Sequence, residues 1–279
     1  MSDYREERAA LGRRLRALRQ DAGLTGAELA ERLGISQSKV SKIENGTLTP
    51  GEEELAHWAS ILGATVTVQA ELLDQRGRVA SEYRNWRTIY GGSAQRRQSE
   101  FLALEGAATL VRVFQPTLIP GLLQTAEYAQ LRLAQWAELH DAGSVAEAVA
   151  TRMERQRALY EPSRSFGFLI LEAALRYRLC SREGMLAQLD RIASLSTLPN
   201  VAVEIVPLSA ELPVAPLHPF EMLDSDLVTV ETFSGENTIT DPQEIRLYGA
   251  IFEMLQAVAL GGDAARTLLR EIVDHLRAS

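Results

Sequence analysis

Residues 24–50 read LTGAELAERLGISQSKVSKIENGTLTP, and this stretch decides the fold of the N-terminal region. Thr25, with a glutamate three residues later, forms a capping box that predicts the start of a helix. Gly34 can adopt the positive φ that ends such a helix. Ser36 is then a suitable N-cap for a second helix over residues 37–45. The stretch therefore predicts two short helices joined by a tight turn.

The second predicted helix has one narrow apolar stripe, and the rest of its surface is polar. Only Val40 and Ile43 are aliphatic, and their spacing of three residues places them on one buried face. The outward side chains carry amide, hydroxyl and amine groups, which can pair with base edges in the major groove of DNA. A solvated polar face is the alternative interpretation, but the agreement of caps, turn and polar face favours DNA binding. We assign the base contacts to Gln37, Ser38, Ser41 and Lys42.

This stretch resembles the Cro/phage-repressor type of helix-turn-helix, which is the XRE group of bacterial regulators. The likeness rests on Leu24, Thr25, Ala27, Glu28, Leu29, Ala30, Leu33, Gly34, Ser36, Gln37, Val40, Ser41, Ile43, Glu44, Asn45, Gly46 and Pro50. The resemblance implies that Gln37 and the exposed positions after it touch bases, and that Glu44 pairs with an arginine of the first helix, here Arg19. Members of the group often carry glutamine where this chain has Gly26. One phosphate contact is therefore expected to be absent, or to be replaced by backbone N–H groups.

Residues 6–22 predict a first helix, because three leucines recur on one face at helical spacing. Arginines surround that face. In a repressor-like arrangement part of this helix approaches the DNA backbone, whereas the alternative is a solvated basic helix. The candidate phosphate contacts of the N-terminal region are Arg13, Arg14, Arg16, Thr25, Ser36, Lys39 and Asn45.

The charge distribution supports a nucleic-acid partner for the N-terminal region alone. The formal net charge is −8, yet residues 5–48 contain nine basic and six acidic residues and carry +3. Residues 49–279 carry −10, and the only two lysines, Lys39 and Lys42, lie on the predicted second helix. This distribution predicts binding of double-stranded DNA with a small footprint.

The composition also excludes several classes of protein. No apolar run long enough to span a membrane appears, and the N-terminus lacks a signal-peptide core. The single Cys180 excludes an internal disulfide and a cysteine zinc site, which fits a cytoplasmic protein. Standard catalytic, phosphate-binding and metal-ligating motifs are missing. We therefore expect a protein that is not an enzyme and that needs neither cofactor nor metal.

The chain length of 279 residues allows more than one domain. We expect a helix-turn-helix domain over residues 1–63, a linking part over residues 64–108 and a C-terminal domain over residues 109–279. The alternating residues 64–70 predict a strand, which would pair either with its copy in a second subunit or with the larger domain. Residues 49–52, TPGE, predict the capped start of the last N-terminal helix.

The C-terminal part alternates apolar runs of strand length with helical segments. Strands are predicted at 109–115, 166–171, 201–207, 220–223 and 227–233. Helices are predicted at 71–90, 94–108, 122–140, 145–160, 182–195, 242–259 and 264–277. The fold class is therefore an all-helical N-terminal domain followed by an α+β domain, whose mixed or antiparallel sheet is flanked by helices.

The C-terminal part resembles that of a group of actinobacterial regulators of the antitoxin-like, WhiJ type. The shared segments are IPGLLQT (119–125), RMERQ (152–156), EAAL (172–175), PNV (199–201) and IVP (205–207). This resemblance implies DNA binding together with a C-terminal domain of poorly defined role. It also implies a short partner protein encoded nearby.

The best polar candidates of the C-terminal part are Arg152, Arg155, Gln156 and Glu172. Arg152 and Gln156 are four residues apart and share one helix face. A buried Arg–Glu pair that fixes a helix to the sheet is one interpretation. A site for an effector or partner, such as an anion or a peptide carboxylate, is the other, because arginine offers a bidentate fork.

The sequence as a whole predicts a sequence-specific transcriptional regulator. Two copies would bind a palindromic operator as a homodimer, with recognition helices in successive major grooves. The C-terminal domain would sense a partner protein. The alternatives are a small-molecule sensor, or an antitoxin-like interaction module whose DNA binding is autoregulatory.

Overall fold

The computed structural model describes residues 4–85, 93–140 and 144–278. The chain divides into two compact units. The first unit consists of Met1–Tyr83, Ser225–Leu227 and Asn237–Leu247. The second consists of Arg84–Asp224, Val228–Glu236 and Tyr248–Ser279.

Five helices form the N-terminal region: α1 Tyr4–Asp21, α2 Gly26–Leu33, α3 Gln37–Glu44, α4 Glu52–Ile61 and α5 Val66–Ala80. Their apolar faces meet in one core, in which Leu15, Leu29, Leu55 and Trp58 are fully buried. Residues 26–44 form the two short helices and the turn that the capping pattern predicts.

The strand predicted at residues 64–70 is wrong, because these residues enter α5. Thr65 caps that helix by accepting a hydrogen bond from Val68 N at 3.3 Å. Val68 and Leu72, four residues apart, pack against the helical core, whereas Val66 is 83% exposed. Helical spacing over the longer segment outweighs a short run of alternation. The helical core therefore extends past residue 63, where the sequence places the end of the domain.

Two other predicted boundaries of the N-terminal half also shift. Helix α4 starts at Glu52 with Gly51 as its N-cap, so the proline at position 50 precedes the helix instead of opening it. The helix predicted over residues 71–90 ends at Ala80, and the short strand β1 Ser81–Asn85 follows it. Residues 86–90 lie outside the described residues.

The C-terminal part contains a mixed sheet flanked by helices, which confirms the predicted fold class. Its strands are β2 Leu110–Gln115, β3 Ser165–Leu171, β4 Val201–Val206, β5 Phe220–Leu223, β6 Leu227–Glu231 and β7 Gly235–Ile239. The strand order is β1-β7-β6-β5-β2-β3-β4. Strand β2 is parallel to β3 and antiparallel to β5, and β3 is parallel to β4.

The parallel strands are the most apolar strands of the sheet. Phe168, Leu169 and Ile170 follow one another in β3, and all three are fully buried. Such continuous burial is typical of parallel strands that are covered on both faces. Strand β7, GENTI, has no such signal and was not predicted.

The helices of this part are α6 Ala94–Ala107, α7 Ala126–His140, α8 Ala146–Arg155, α9 Glu172–Arg176, α10 Arg182–Leu195, α11 Pro242–Gln256 and α12 Gly262–Ala278. Two predicted helices are shortened by 3₁₀ turns, Gly121–Leu123 before α7 and Gln156–Tyr160 after α8. Among the described residues, no helix is both long enough and apolar enough to cross a membrane.

Candidate nucleic-acid interface

Local hydrogen bonds and a turn glycine determine where α2 begins and ends and where α3 begins. Thr25 Oγ1 accepts from Glu28 N at 3.2 Å, and the Glu28 carboxylate accepts from Thr25 N at 2.7 Å. Gly34 ends α2 with φ +69°. Ser36 Oγ then accepts from Lys39 N at 3.1 Å and starts α3. Each junction is therefore determined by residues that are adjacent in the sequence.

Helix α3 buries its apolar stripe and exposes its polar face. Val40 and Ile43 are each 1% exposed. The four assigned base-contact residues, Gln37, Ser38, Ser41 and Lys42, are all exposed on the same helix. Lys42 Nζ lies 3.7 Å from a carboxylate oxygen of Asp226, a residue of the same compact unit. The Lys42 side chain remains 54% exposed, so it can still reach solvent.

The carboxylate of Glu44 ties the end of α3 to α1. Arg19 donates to it from Nε at 2.6 Å and from Nη2 at 2.9 Å, and Arg16 Nε donates at 3.1 Å. The Glu44 side chain is 4% exposed. Burial alone would raise the pKa of Glu44, but the hydrogen bonds from Arg19 and Arg16 outweigh it and lower that pKa. The charged carboxylate is thus the form that the fold stabilises.

A glycine permits this close crossing of α1 and α3. A Cβ atom built at Gly12 would lie 2.6 Å from the carbonyl oxygen of Glu44 and 2.7 Å from that of Ile43. Both neighbours are backbone atoms that are fixed by the helix. Any larger residue at position 12 would therefore push the recognition helix away from α1.

Most of the candidate phosphate contacts already have intramolecular partners. Arg14 pairs with Glu71, and Lys39 Nζ lies 2.8 Å from Glu54 Oε1. Arg16 donates from Nη2 to Asn45 Oδ1 at 2.6 Å, beside its bond to Glu44. Thr25 and Ser36 are engaged as caps. Arg13 is exposed.

Sequence reasoning missed the acidic partners of these basic residues. Glu54 also accepts from Gly51 N at 3.4 Å, so its position three residues after the N-cap of α4 was a usable signal. Glu71 carried no such signal, because it lies where the predicted strand over residues 64–70 was followed by a predicted helix over residues 71–90.

The polar candidates of the C-terminal part do not form one site. Arg155 Nε donates to Glu105 Oε2 at 2.9 Å, which joins α8 to α6 instead of joining a helix to the sheet. Arg152 donates to the amide oxygens of Gln98 at 3.1 Å and Gln124 at 2.7 Å. These groups are buried.

Gln156 supports this arrangement, whereas Glu172 lies elsewhere. Gln156 Nε2 donates to the backbone oxygen of Gln124 at 2.7 Å. Glu172 instead accepts from Arg176 Nε at 2.6 Å and from Leu208 N at 2.8 Å. Glu105 was missed, although its spacing of seven residues from Gln98 is a helical repeat. Among the described residues, no cluster of potential metal ligands occurs.

Family comparison assigns both parts of the chain. A model described as a helix-turn-helix domain matches residues 10–72. A second model, described as a domain of unknown function (DUF5753), matches residues 98–271, which is more than half of the chain. The chain belongs to the DUF5753 family.

Other comparisons add little to this assignment of a DUF5753 protein with a helix-turn-helix domain. Its structure is similar to that of TrmBL2, an archaeal chromatin protein whose structure is described as showing a novel mode of DNA binding. That match has 11% identity and a TM-score of 0.32, and it covers 85% of this chain and 87% of the other. At that score the similarity carries no argument. Comparison with curated proteins gave no significant match.

Proposed function

We propose that this DUF5753 protein is a sequence-specific transcriptional regulator that inserts α3 into the major groove of double-stranded DNA. One observation carries the proposal. Val40 and Ile43 hold α3 from beneath, while Gln37, Ser41 and Lys42 share its exposed face. Amide, hydroxyl and amine groups on one helix are the donors and acceptors that read base edges. The match to a helix-turn-helix domain supports the same role.

The proposed phosphate contacts flank this face. Arg13 is exposed and needs no rearrangement to reach the DNA backbone. Arg14 and Lys39 would exchange their carboxylate partners for phosphates, which replaces one ion pair by another. Arg16, Thr25, Ser36 and Asn45 would contribute through groups that their intramolecular bonds leave free. The DNA-binding surface thus contains acidic side chains that compete with DNA for its cations.

We also propose that the protein binds as a homodimer to a palindromic operator. A single recognition helix reads only a few base pairs, and helix-turn-helix proteins commonly use two half-sites about 34 Å apart. Since residues 66–80 form a helix, the dimer cannot rest on the strand expected at residues 64–70. The proposal of a homodimer therefore names no segment as the interface between subunits.

Selection of bound fragments from genomic DNA tests this function. We expect the full chain to enrich a palindrome with half-site centres about 10–10.5 base pairs, or a multiple of a DNA turn, apart. A variant carrying Gln37→Ala, Ser41→Ala and Lys42→Ala should lose the enriched sequence. A control variant, Gln95→Ala on an exposed position of α6, should keep it. If all three proteins recover the same fragments, α3 does not read the sequence.

The DUF5753 domain would then regulate DNA binding, and a small-molecule effector is the candidate that the structure favours. The supporting observation is a small cavity lined by charged side chains, among them Arg152 and Arg155. The other candidate is the short partner protein that the resemblance implies. A short protein that co-purifies with the chain at fixed stoichiometry would favour that candidate.

A further inference from the structure

A small cavity lies inside the second unit, between helices α6, α7 and α8 and the sheet. Its volume is about 80 Å³. Aromatic walls come from Phe101, Trp136 and Phe220. The charged lining residues are Arg97, Arg132, Arg152, Arg155, Glu105, Glu221 and Glu231. Four guanidinium groups thus share the cavity with three carboxyl groups.

Two of the four arginines are neutralised by direct ion pairs. Arg155 pairs with Glu105, and Arg97 pairs with Glu231. The third carboxyl group, that of Glu221, is shifted toward its neutral form. Burial and the neighbouring charge of Glu105 raise the pKa of Glu221 well above its ordinary value. Burial and Glu105 thus disfavour the charged form of this carboxyl group.

Within the described parts of the chain, the other two arginines, Arg132 and Arg152, form no hydrogen bond or ion pair with a carboxylate, and Glu231 is the only carboxylate whose more distant charge raises their pKa values. Arg152 is 8% exposed, and its hydrogen bonds there go only to the amide oxygens of Gln98 and Gln124. Arg132 makes neither a hydrogen bond nor an ion pair with any described residue. The lining is thus short of negative charge.

The excess positive charge is costly in this environment. Desolvation, and then the charges of Arg155 and Arg97, lower the pKa of Arg152 to about 9. Arg152 nevertheless remains protonated at neutral pH. A buried cation without a directly paired counter-ion destabilises a fold, and a bound anion would remove that cost.

We propose that this cavity binds a small oxyanion group, namely a carboxylate or a phosphate, between Arg132 and Arg152. Guanidinium forks match both groups with bidentate hydrogen bonds. The volume is smaller than the engineered cavity of about 150 Å³ that holds benzene. It therefore admits an anion of a few heavy atoms, or the acidic end of a larger ligand. This inference rests on the small-molecule alternative proposed above and concerns the DUF5753 domain alone.

Thermal unfolding of the full chain without DNA tests this site. The probes are acetate and inorganic phosphate at constant ionic strength and pH 7, and acetamide is the neutral match for acetate. A ligand that binds only the folded state raises the Tm by mass action. We expect acetate, phosphate or both to raise the Tm by about 3 °C at ten times the half-saturating concentration, and acetamide to have no effect.

Two variants place the effect in the cavity. Arg132→Gln leaves no described hydrogen-bond partner behind, so the variant should fold, and it should raise the half-saturating anion concentration at least tenfold. Arg157→Gln removes the same charge from an exposed position next to α8 and should behave like the parent protein. If Arg132→Gln fails to fold, Arg152→Gln takes its place, because glutamine can still donate to the amide oxygens.

Each outcome of this experiment decides the proposal. A response to phosphate alone assigns a phosphate-bearing ligand, and a response to acetate alone assigns a carboxylate. The proposal is overturned if acetate and acetamide raise the Tm equally, or if neither anion raises it. It is also overturned if the cavity variants respond to the anions as the parent protein does. DNA is absent from the assay, so failure here leaves the proposed DNA binding intact, and failure of DNA binding leaves this result intact.

Discussion

Replacing Glu44 by glutamine should loosen the recognition helix without removing any volume from the core. The parent carboxylate accepts three hydrogen bonds from Arg16 and Arg19, at 2.6, 2.9 and 3.1 Å. Glutamine offers one neutral oxygen, and its amide group would face guanidinium donors. Arg16 is 40% exposed and can turn toward water, whereas Arg19 is 12% exposed and cannot do so freely.

The expected cost of Glu44→Gln is about 3 kcal/mol, the lower end of the range for a broken buried ion pair. Hydrogen exchange followed by mass spectrometry can locate this loss. Amides of α1 and α3 should exchange about 100-fold faster, since each 1.4 kcal/mol is a factor of ten. The matched control is Glu71→Gln, which breaks the exposed pair with Arg14 and should cost less than about 1 kcal/mol.

The same variant should change the response of the protein to acid. The pKa of Glu44 is lower in the folded state than in the unfolded state, where it is about 4.3. The carboxylate therefore stabilises the fold above about pH 4.3, and this contribution is lost as the pH falls through the folded-state pKa. Glu44→Gln should therefore flatten the acid limb of unfolding below about pH 4.3. The reasoning is refuted if the amides of α1 and α3 exchange equally fast in Glu44→Gln and Glu71→Gln. It is also refuted if Glu44→Gln unfolds in acid with the same pH dependence as the parent protein.

Three further predictions test other parts of the structure. Gly12→Ala should destabilise the protein by about 3 kcal/mol in urea unfolding, because the new Cβ would meet the backbone of Glu44. A cost below about 1 kcal/mol would contradict the close crossing of α1 and α3. Glu105→Gln should cost about 3–5 kcal/mol and lower the Tm, since it leaves Arg155 buried without its counter-ion; an unchanged Tm would contradict the pairing. Lys39→Ala should weaken binding to all DNA sequences alike and reduce the salt dependence by about one counter-ion, whereas an unchanged salt slope would exclude a phosphate contact.

The helix-turn-helix was predictable because local residues determine it. Thr25, Gly34 and Ser36 each act within three or four positions of their own place in the chain, as caps or as a turn. The predicted strand at residues 64–70 failed for a related reason. Alternation over so few residues also fits the first turns of a helix, and the contact of Leu72 with the core lay beyond the alternating run.

The C-terminal part was predictable in its elements but not in their assembly. Apolar strands such as β3 can be predicted from their composition. Strand β7 carries Glu236 and Thr238 and is buried only because neighbouring elements cover it. The cavity combines side chains of helices and strands that are far apart in the chain, among them Arg132 and Glu221. No local pattern could show which arginines would lack an ion pair with a carboxylate, because strand order and helix packing decide that pairing.

The most direct test of the account is the affinity and base preference of Gln37→Ala on the operator recovered by selection. We expect a loss of about 1–3 kcal/mol and a relaxed preference at one base position in each half-site, with Gln95→Ala unchanged. If Gln37→Ala keeps both the affinity and the preferred sequence of the parent protein, the exposed face of α3 is not the surface that reads DNA.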